Sequence, residues 1–212
     1  ARLKELGFKP IELERGSTGF KLWKKIKIKR VRVPDILCLN TGLRFESRGK
    51  TKLEISMSHS LKDPRRAWDA GLRDDDFVSI VAFEQNADSP IDLKRLSPVH
   101  FVGVRDLREA FARKAVSITK PKGVEEGSEI RVLWACAFAH QASVVGPIEE
   151  PRLFLAPVSG AKRQFINLKR NKGHISLKAQ AHDGEQVQAN QIVASVVPVV
   201  TTLSCPAVVD ES

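Results

Sequence analysis

Basic and apolar residues alternate through Lys25-Ile26-Lys27-Ile28-Lys29-Arg30-Val31-Arg32-Val33, and a period of two is a β-strand signal. As a strand, this segment puts Ile26, Ile28, Arg30 and Arg32 on one face and Lys25, Lys27, Lys29, Val31 and Val33 on the other. The alternation slips at Lys29-Arg30, where a bulge restores it. Residues 34–50 follow as two apolar-rich runs around Asn40-Thr41-Gly42, a loop whose glycine can take positive φ, and they predict a tight hairpin. A helix over residues 63–72 is expected from Asp63 as N-cap, Pro64 at the first helical position and Gly71 as the stop. The β-branched run at 77–83 predicts a buried strand, and residues 2–7 read as the end of a helix closed by Gly7. From Pro90 the texture changes to loops and short strands. One helix is expected near 107–115, where Leu107, Ala110 and Phe111 fall at helical spacing, and strand-like runs follow at 130–138, 152–156, 165–168, 174–179 and 191–200. The organisation expected is an α/β core over residues 1–90, a connecting helix and loops over 91–120, and a β-rich domain over 121–212.

Composition narrows the class. The 212 residues are 42% hydrophobic and 28% charged, which suits a globular protein and excludes a disordered or collagen-like chain. The net charge is +10, and it is concentrated: residues 1–33 hold seven lysines and four arginines against three glutamates. A row of cations along one strand suits a polyanion, because phosphate contacts supply most sequence-independent affinity for nucleic acid; lysines on an edge strand also guard against aggregation. Cys38, Cys136 and Cys205 are far apart and odd in number, so they read as small buried hydrophobes in a reducing setting. The longest apolar stretch, residues 192–200, falls short of the roughly 20 residues that span a bilayer, and no signal peptide is expected at residue 1.

The hairpin carries the candidate chemistry. With the turn centred on Thr41, Asp35 and Glu46 come near one another on neighbouring strands, and Glu46, Arg48 and Lys50 share one face of the second strand. Two close carboxylates either share a proton or bind a cation, and hard oxygen ligands suit Mg²⁺, which keeps several waters and reaches a substrate phosphate. A neighbouring Lys or Arg then orients the nucleophile or neutralises charge developing on phosphorus oxygens.

These residues resemble the PD-(D/E)XK nucleases, which share the restriction-endonuclease-like core. Pro34-Asp35 matches the first half of that family's pattern and Glu46 its acidic position. Where the family places lysine, two residues on, stands Arg48; the nearest lysine is Lys50. Either Arg48 substitutes, or Lys50 swings in, or the site is degenerate. A second register, Glu54-Ile55-Ser56, puts serine at the lysine position and is the weaker choice. The resemblance covers about residues 1–84 and implies a mixed sheet with flanking helices, including a crossover helix after the Glu46 strand and then a buried parallel strand.

On this reading the chain is a Mg²⁺-dependent endonuclease, Mn²⁺ serving as an alternative. Asp35 and Glu46 are the metal ligands and Arg48 or Lys50 completes the catalytic set. Lys24, Lys25, Lys27, Lys29, Arg30 and Arg32 contact the backbone of nucleic acid, DNA being favoured over RNA. A cytoplasmic location, nucleoid-associated or nuclear with DNA as substrate, goes with it, and a homodimer or a place within a longer protein stays open. The alternative is a non-catalytic nucleic-acid-binding or adaptor module on a degenerate nuclease fold.

Three further features have plainer readings. Asp74-Asp75-Asp76 is a solubilising turn rather than a metal site, since three adjacent acids cannot all reach one ion. His59 reads as a polar strand-end residue. Lys162, Arg163, Lys169, Arg170 and Lys172, around Phe165, read as a solvated face in preference to a backbone contact. Residues 174–194 look like half of a biotinyl/lipoyl hammerhead, a strand, Asp183-Gly184 turn and strand without the carrier lysine. That likeness implies a small sandwich or barrel and no swinging-arm cofactor.

Overall fold

The computed structural model describes residues 1–13, 34–85, 93–120, 129–160 and 162–205. The basic strand expected at 25–33, with Lys24, Lys25, Lys27, Lys29, Arg30 and Arg32, lies outside the described residues.

A one-turn helix α1 (Arg2–Glu5) ends at Gly7, whose φ of +87° is open to glycine at no steric cost. Strands β1 (Pro10–Glu12), β2 (Ile36–Cys38), β3 (Arg44–Lys50), β4 (Ile55–His59), β5 (Phe77–Gln85) and β6 (Leu93–Gly103) follow, then helix α2 (Val104–Ala112) and β7 (Ser117–Thr119). The remaining strands are β8 (Ile130–Trp134), β9 (Cys136–Phe138), β10 (Ser143–Glu149), β11 (Arg152–Pro157), β12 (Gln164–Asn167), β13 (Lys169–Arg170), β14 (Ile175–Ser176), β15 (Lys178–Ala179), β16 (Gln186–Val187) and β17 (Ile192–Ser195). The fold is mostly β-sheet with few helices.

The sheet that positions the candidate site has the order β1-β2-β3-β5-β6. It is mixed: β3 and β5 run parallel from Phe45↔Phe77 to Lys50↔Ala82, and the other pairs are antiparallel. The expected buried parallel strand is therefore β5. Its alternation serves two cores. Val78, Ile80 and Ala82 enter the larger hydrophobic cluster, which also takes Leu53, Ile55, Trp68, Trp134 and the Val104, Leu107 and Ala110 stripe of α2. Phe77 and Val81 pack on the other side against a smaller cluster of Leu3, Phe8, Cys38, Phe45, Val99 and Phe101. In that cluster Phe45 meets Phe8, Phe77 and Phe101 with ring centroids 5.7–6.0 Å apart, spacing that favours edge or offset packing.

The crossover from β3 to β5 holds no α-helix among its described residues. Asp63 caps as expected, its side chain accepting the Arg65 N–H, but only a 3-10 turn (Pro64–Arg66) forms. Tertiary packing overrides the local signals. Trp68 is drawn into the core against Trp134, 4.9 Å between centroids, and its N–H is satisfied by His59 Nδ1 at 3.2 Å instead of by a helical carbonyl. Within the crossover, β4 leaves the main sheet and pairs along its whole length with β8. A sheet and one continuous core thus run across the expected boundaries at 90 and 120.

Strand β6 is the element the sequence concealed. It contains Pro98, which cannot donate to a ladder, but it is the last strand of its sheet, with a register shift opposite Ile80–Ala82. An edge strand with a bulge is where proline is tolerated. Beyond α2, the β-rich half forms sheets β12-β11-β10-β16, β15-β17-β9, β4-β8-β7 and β13-β14. The hammerhead likeness does not hold as a hairpin across Asp183-Gly184: β15 pairs with β17 and β16 pairs with β10. No helix among the described residues is long and apolar enough to cross a membrane.

Candidate active site

The hairpin forms as its residues direct. Gly42 takes φ +68° and donates to the Cys38 carbonyl at 2.8 Å, and Thr41 Oγ1 accepts from the Leu43 N–H. Asn40 then fastens the turn to the end of α1, accepting from the Lys9 N–H at 3.0 Å and donating to the Gly7 carbonyl at 3.2 Å. The pairs Ile36↔Phe45 and Leu37↔Arg44 fix the register. One step further along it, Asp35 falls opposite Glu46, as the loop length implies.

Asp35 Oδ2 accepts the Ser47 N–H at 2.7 Å. The side chain thereby continues the ladder past the first residue of β2, and a charged acceptor makes this bond stronger than a neutral one. Phe45 is buried on one face of β3, so the alternation puts Glu46, Arg48 and Lys50 together on the other. Arg48 Nη2 reaches Glu46 Oε1 at 2.7 Å, while Arg48 Nε is buried with no hydrogen-bond partner among the described residues. Lys50 Nζ donates to both the carbonyl and the Oγ of Ser56, each at 2.9 Å. The Ser56 hydroxyl donates to Glu54 Oε1 at 2.8 Å and accepts from Arg131 at 2.8 and 3.1 Å, and Arg131 forms an ion pair with Glu54.

No known protein family, curated protein or solved structure matches the chain. Two carboxylates opposed across one strand pair offer hard oxygen ligands, and Mg²⁺ is commonly held by only one or two carboxylates with water and substrate phosphate completing its shell. The Ser47 amide takes one of the four lone-pair sites of Asp35, and Arg48 engages Glu46. Among the described residues no group of three or more His, Cys, Asp or Glu is placed to hold a metal, so a site resting on protein side chains alone is not formed there.

The sequence brought Asp35, Glu46, Arg48 and Lys50 to one hairpin, and the structure puts Arg48 on Glu46 and Lys50 on Ser56. It missed that Ser56, Glu54 and Arg131 join them. The Glu54-Ile55-Ser56 spacing was the available signal; Arg131, 75 residues beyond Ser56, left none. The aspartate turn is not simply the solubilising loop expected: Asp74 pairs with Arg108, and Asp76 is buried and pairs with Arg44, because the turn joins the start of β3 to β5. His59 is held between the Trp68 amide and an edge contact with Phe111. Burial pushes the Cys38 and Cys136 thiols up to about 11, which leaves them protonated and inert as nucleophiles near neutral pH.

Proposed function

We propose that this chain is a metal-dependent nuclease that hydrolyses phosphodiester bonds, DNA foremost, on a restriction-endonuclease-like arrangement of β2, β3 and β5. The observation that carries the reading is the register that sets Asp35 across from Glu46, with two cationic side chains following on the same face of β3. The strongly basic stretch of residues 21–32 ends two residues before Pro34 in the sequence and supplies cations for the phosphate backbone.

Asp35 and Glu46 would hold Mg²⁺, or Mn²⁺ with the same preference for oxygen. Bound there, the ion would polarise the phosphodiester and lower the pKa of a water. Asp35 contributes a carboxylate whose position is set by the Ser47 amide. Glu46 is poised between that role and its ion pair with Arg48. The guanidinium of Arg48, always charged, would compensate charge that develops on the phosphate oxygens. Lys50, steadied by the Ser56 hydroxyl and carbonyl, would orient the phosphate or the attacking water.

Purified protein should cleave DNA or RNA with Mg²⁺ or Mn²⁺. Inactivity on single- and double-stranded DNA and on RNA, across both metals and at high protein concentration, would reject the reading.

One observation favours a second reading, a non-catalytic nucleic-acid-binding module: Arg48 stands at the lysine position and is ion-paired to Glu46. Calorimetric titration with Mg²⁺ separates the two. A catalytic site binds in a way that Glu46→Gln weakens, and a degenerate site shows no binding that depends on Glu46.

A further inference from the structure

The sheet β12-β11-β10-β16 turns an aromatic pair outward. On β12, Ile166 is buried and its neighbours Phe165 and Asn167 face solvent, as alternation requires. Phe165 is 59% exposed, and it pairs in register with half-buried Phe154 of β11. Their rings meet edge to face at 5.0 Å. The close partner holds the Phe165 ring while leaving it uncovered.

The surroundings are cationic. Lys162 and Arg163 precede β12, Lys169, Arg170 and Lys172 follow it, and Arg152 lies across from Asn167. All six are exposed, and none forms an ion pair among the described residues. The carboxylates nearest this edge in the register are Glu149, opposite Arg152, and its neighbour Glu150. Asp183 and Glu185 precede β16 at the opposite edge of the sheet. Cations thus bracket the exposed ring along the chain, Lys162 and Arg163 before β12, Lys169 and Arg170 in the following strand β13 of its own two-stranded sheet, and Arg152 on the neighbouring β11.

A solvated face accounts for the cations, and Phe165 is the one aromatic side chain among the exposed large hydrophobics of the described residues. A free aromatic face flanked by unpaired cations matches the two demands of single-stranded nucleic acid, a base to stack and a backbone to neutralise. A duplex hides its base faces and would use the charges alone. We infer that the outer face of β12 and β11 binds single-stranded nucleic acid, with a base stacked on Phe165 and phosphates carried by Lys162, Arg163, Lys169 and Arg170. The inference is independent of the nuclease reading, since binding is measured without metal.

The test is fluorescence anisotropy with labelled twelve-nucleotide oligothymidine and oligouridine and a twelve-base-pair duplex, in EDTA, from 50 to 200 mM salt. Phe165→Ala should weaken binding of the single strands about tenfold, the lower-middle of the range for one stacked base, leave the duplex unaffected and leave the salt slope unchanged. Phe165→Trp should bind at least as tightly as wild type. Lys169→Ala/Arg170→Ala should make the salt slope shallower by about two phosphates. Equal loss with the two single strands assigns the site to both DNA and RNA, and loss with one assigns it to that one. Single-strand binding by Phe165→Ala equal to wild type, in protein whose urea midpoint is unchanged, overturns the inference, as does an equal loss on the duplex.

Discussion

Arg44 and Asp76 form the most buried ion pair described, with side chains 15% and 2% exposed, and they join the start of β3 to the turn that launches β5. Asp76 accepts from Arg44 Nε at 2.8 Å and from the Arg73 N–H at 2.6 Å, and Arg44 also donates to the Gly71 carbonyl. Arg44→Met keeps the bulk of the stem and removes the charge that neutralises a carboxylate with almost no access to water. Breaking a buried pair from one side costs about 3–5 kcal/mol. Asp76→Asn retains an acceptor for the Arg73 amide and leaves Arg44 its contact with Gly71, so the loss should be nearer 1–3 kcal/mol. The double variant removes both charges and should be less destabilised than the sum of the singles, with a coupling of about 1–3 kcal/mol. Urea unfolding followed by tryptophan fluorescence reads these values. With a slope of about 2–3 kcal/mol per molar, Arg44→Met should lower the midpoint by about 1–2 M. A loss under 1 kcal/mol for Arg44→Met, or strict additivity in the cycle, would show that the pair does not hold β3 to β5.

Three other outcomes follow from the structure. His100 is fully buried, accepts the Ile192 N–H at Nε2 and has no partner at Nδ1 among the described residues, and desolvation lowers its pKa from 6.5 to about 4. Its contribution is complete above the unfolded-state value and is lost as pH falls through that window, up to about 3 kcal/mol; urea midpoints should drop between pH 7 and 4.5, and His100→Gln should flatten that part of the profile. A Cβ on Gly49 would lie 2.9 Å from the Phe83 ring, so Gly49→Ala should cost about 1–3 kcal/mol by overpacking, measured by thermal melting. Arg48→Lys removes the guanidinium that would compensate charge on the phosphate oxygens and should lower the rate of metal-dependent cleavage, read in a gel assay; a rate equal to or above wild type would show that the position needs only a cation.

The parts of the fold legible in the sequence are those set by near neighbours. Asn40-Thr41-Gly42 encodes its own turn, and the turn fixes the register that puts Asp35 opposite Glu46. The β-branched run of β5 and the Leu107, Ala110 and Phe111 spacing of α2 were equally local. What failed was decided at a distance. The capping signals at Asp63-Pro64 are sound for one turn, but burial of Trp68 against Trp134 stabilises the segment more than further helical bonds would. Pro98 hid β6 because the sequence cannot say that a strand will lie at an edge. The Glu54, Ser56 and Arg131 contacts depend on β4 meeting β8, a pairing between residues some 75 positions apart. At Phe165 the charges were legible and the orientation was not: only the sheet shows that the ring stands outward between them.

On the proposed function, Asp35 is a metal-binding carboxylate and not only the acceptor that ends a ladder. Asp35→Asn isolates it, because asparagine can still accept the Ser47 N–H but cannot supply the negative charge. Cleavage of DNA in Mg²⁺ by wild type and by Asp35→Asn, with unfolding midpoints measured on the same preparations, is the most direct measurement. Wild type should be active, Asp35→Asn should lose at least about a hundredfold, and the two should agree in stability within about 1 kcal/mol. Cleavage by Asp35→Asn at the wild-type rate, or no cleavage by folded wild type on any nucleic acid, would contradict it.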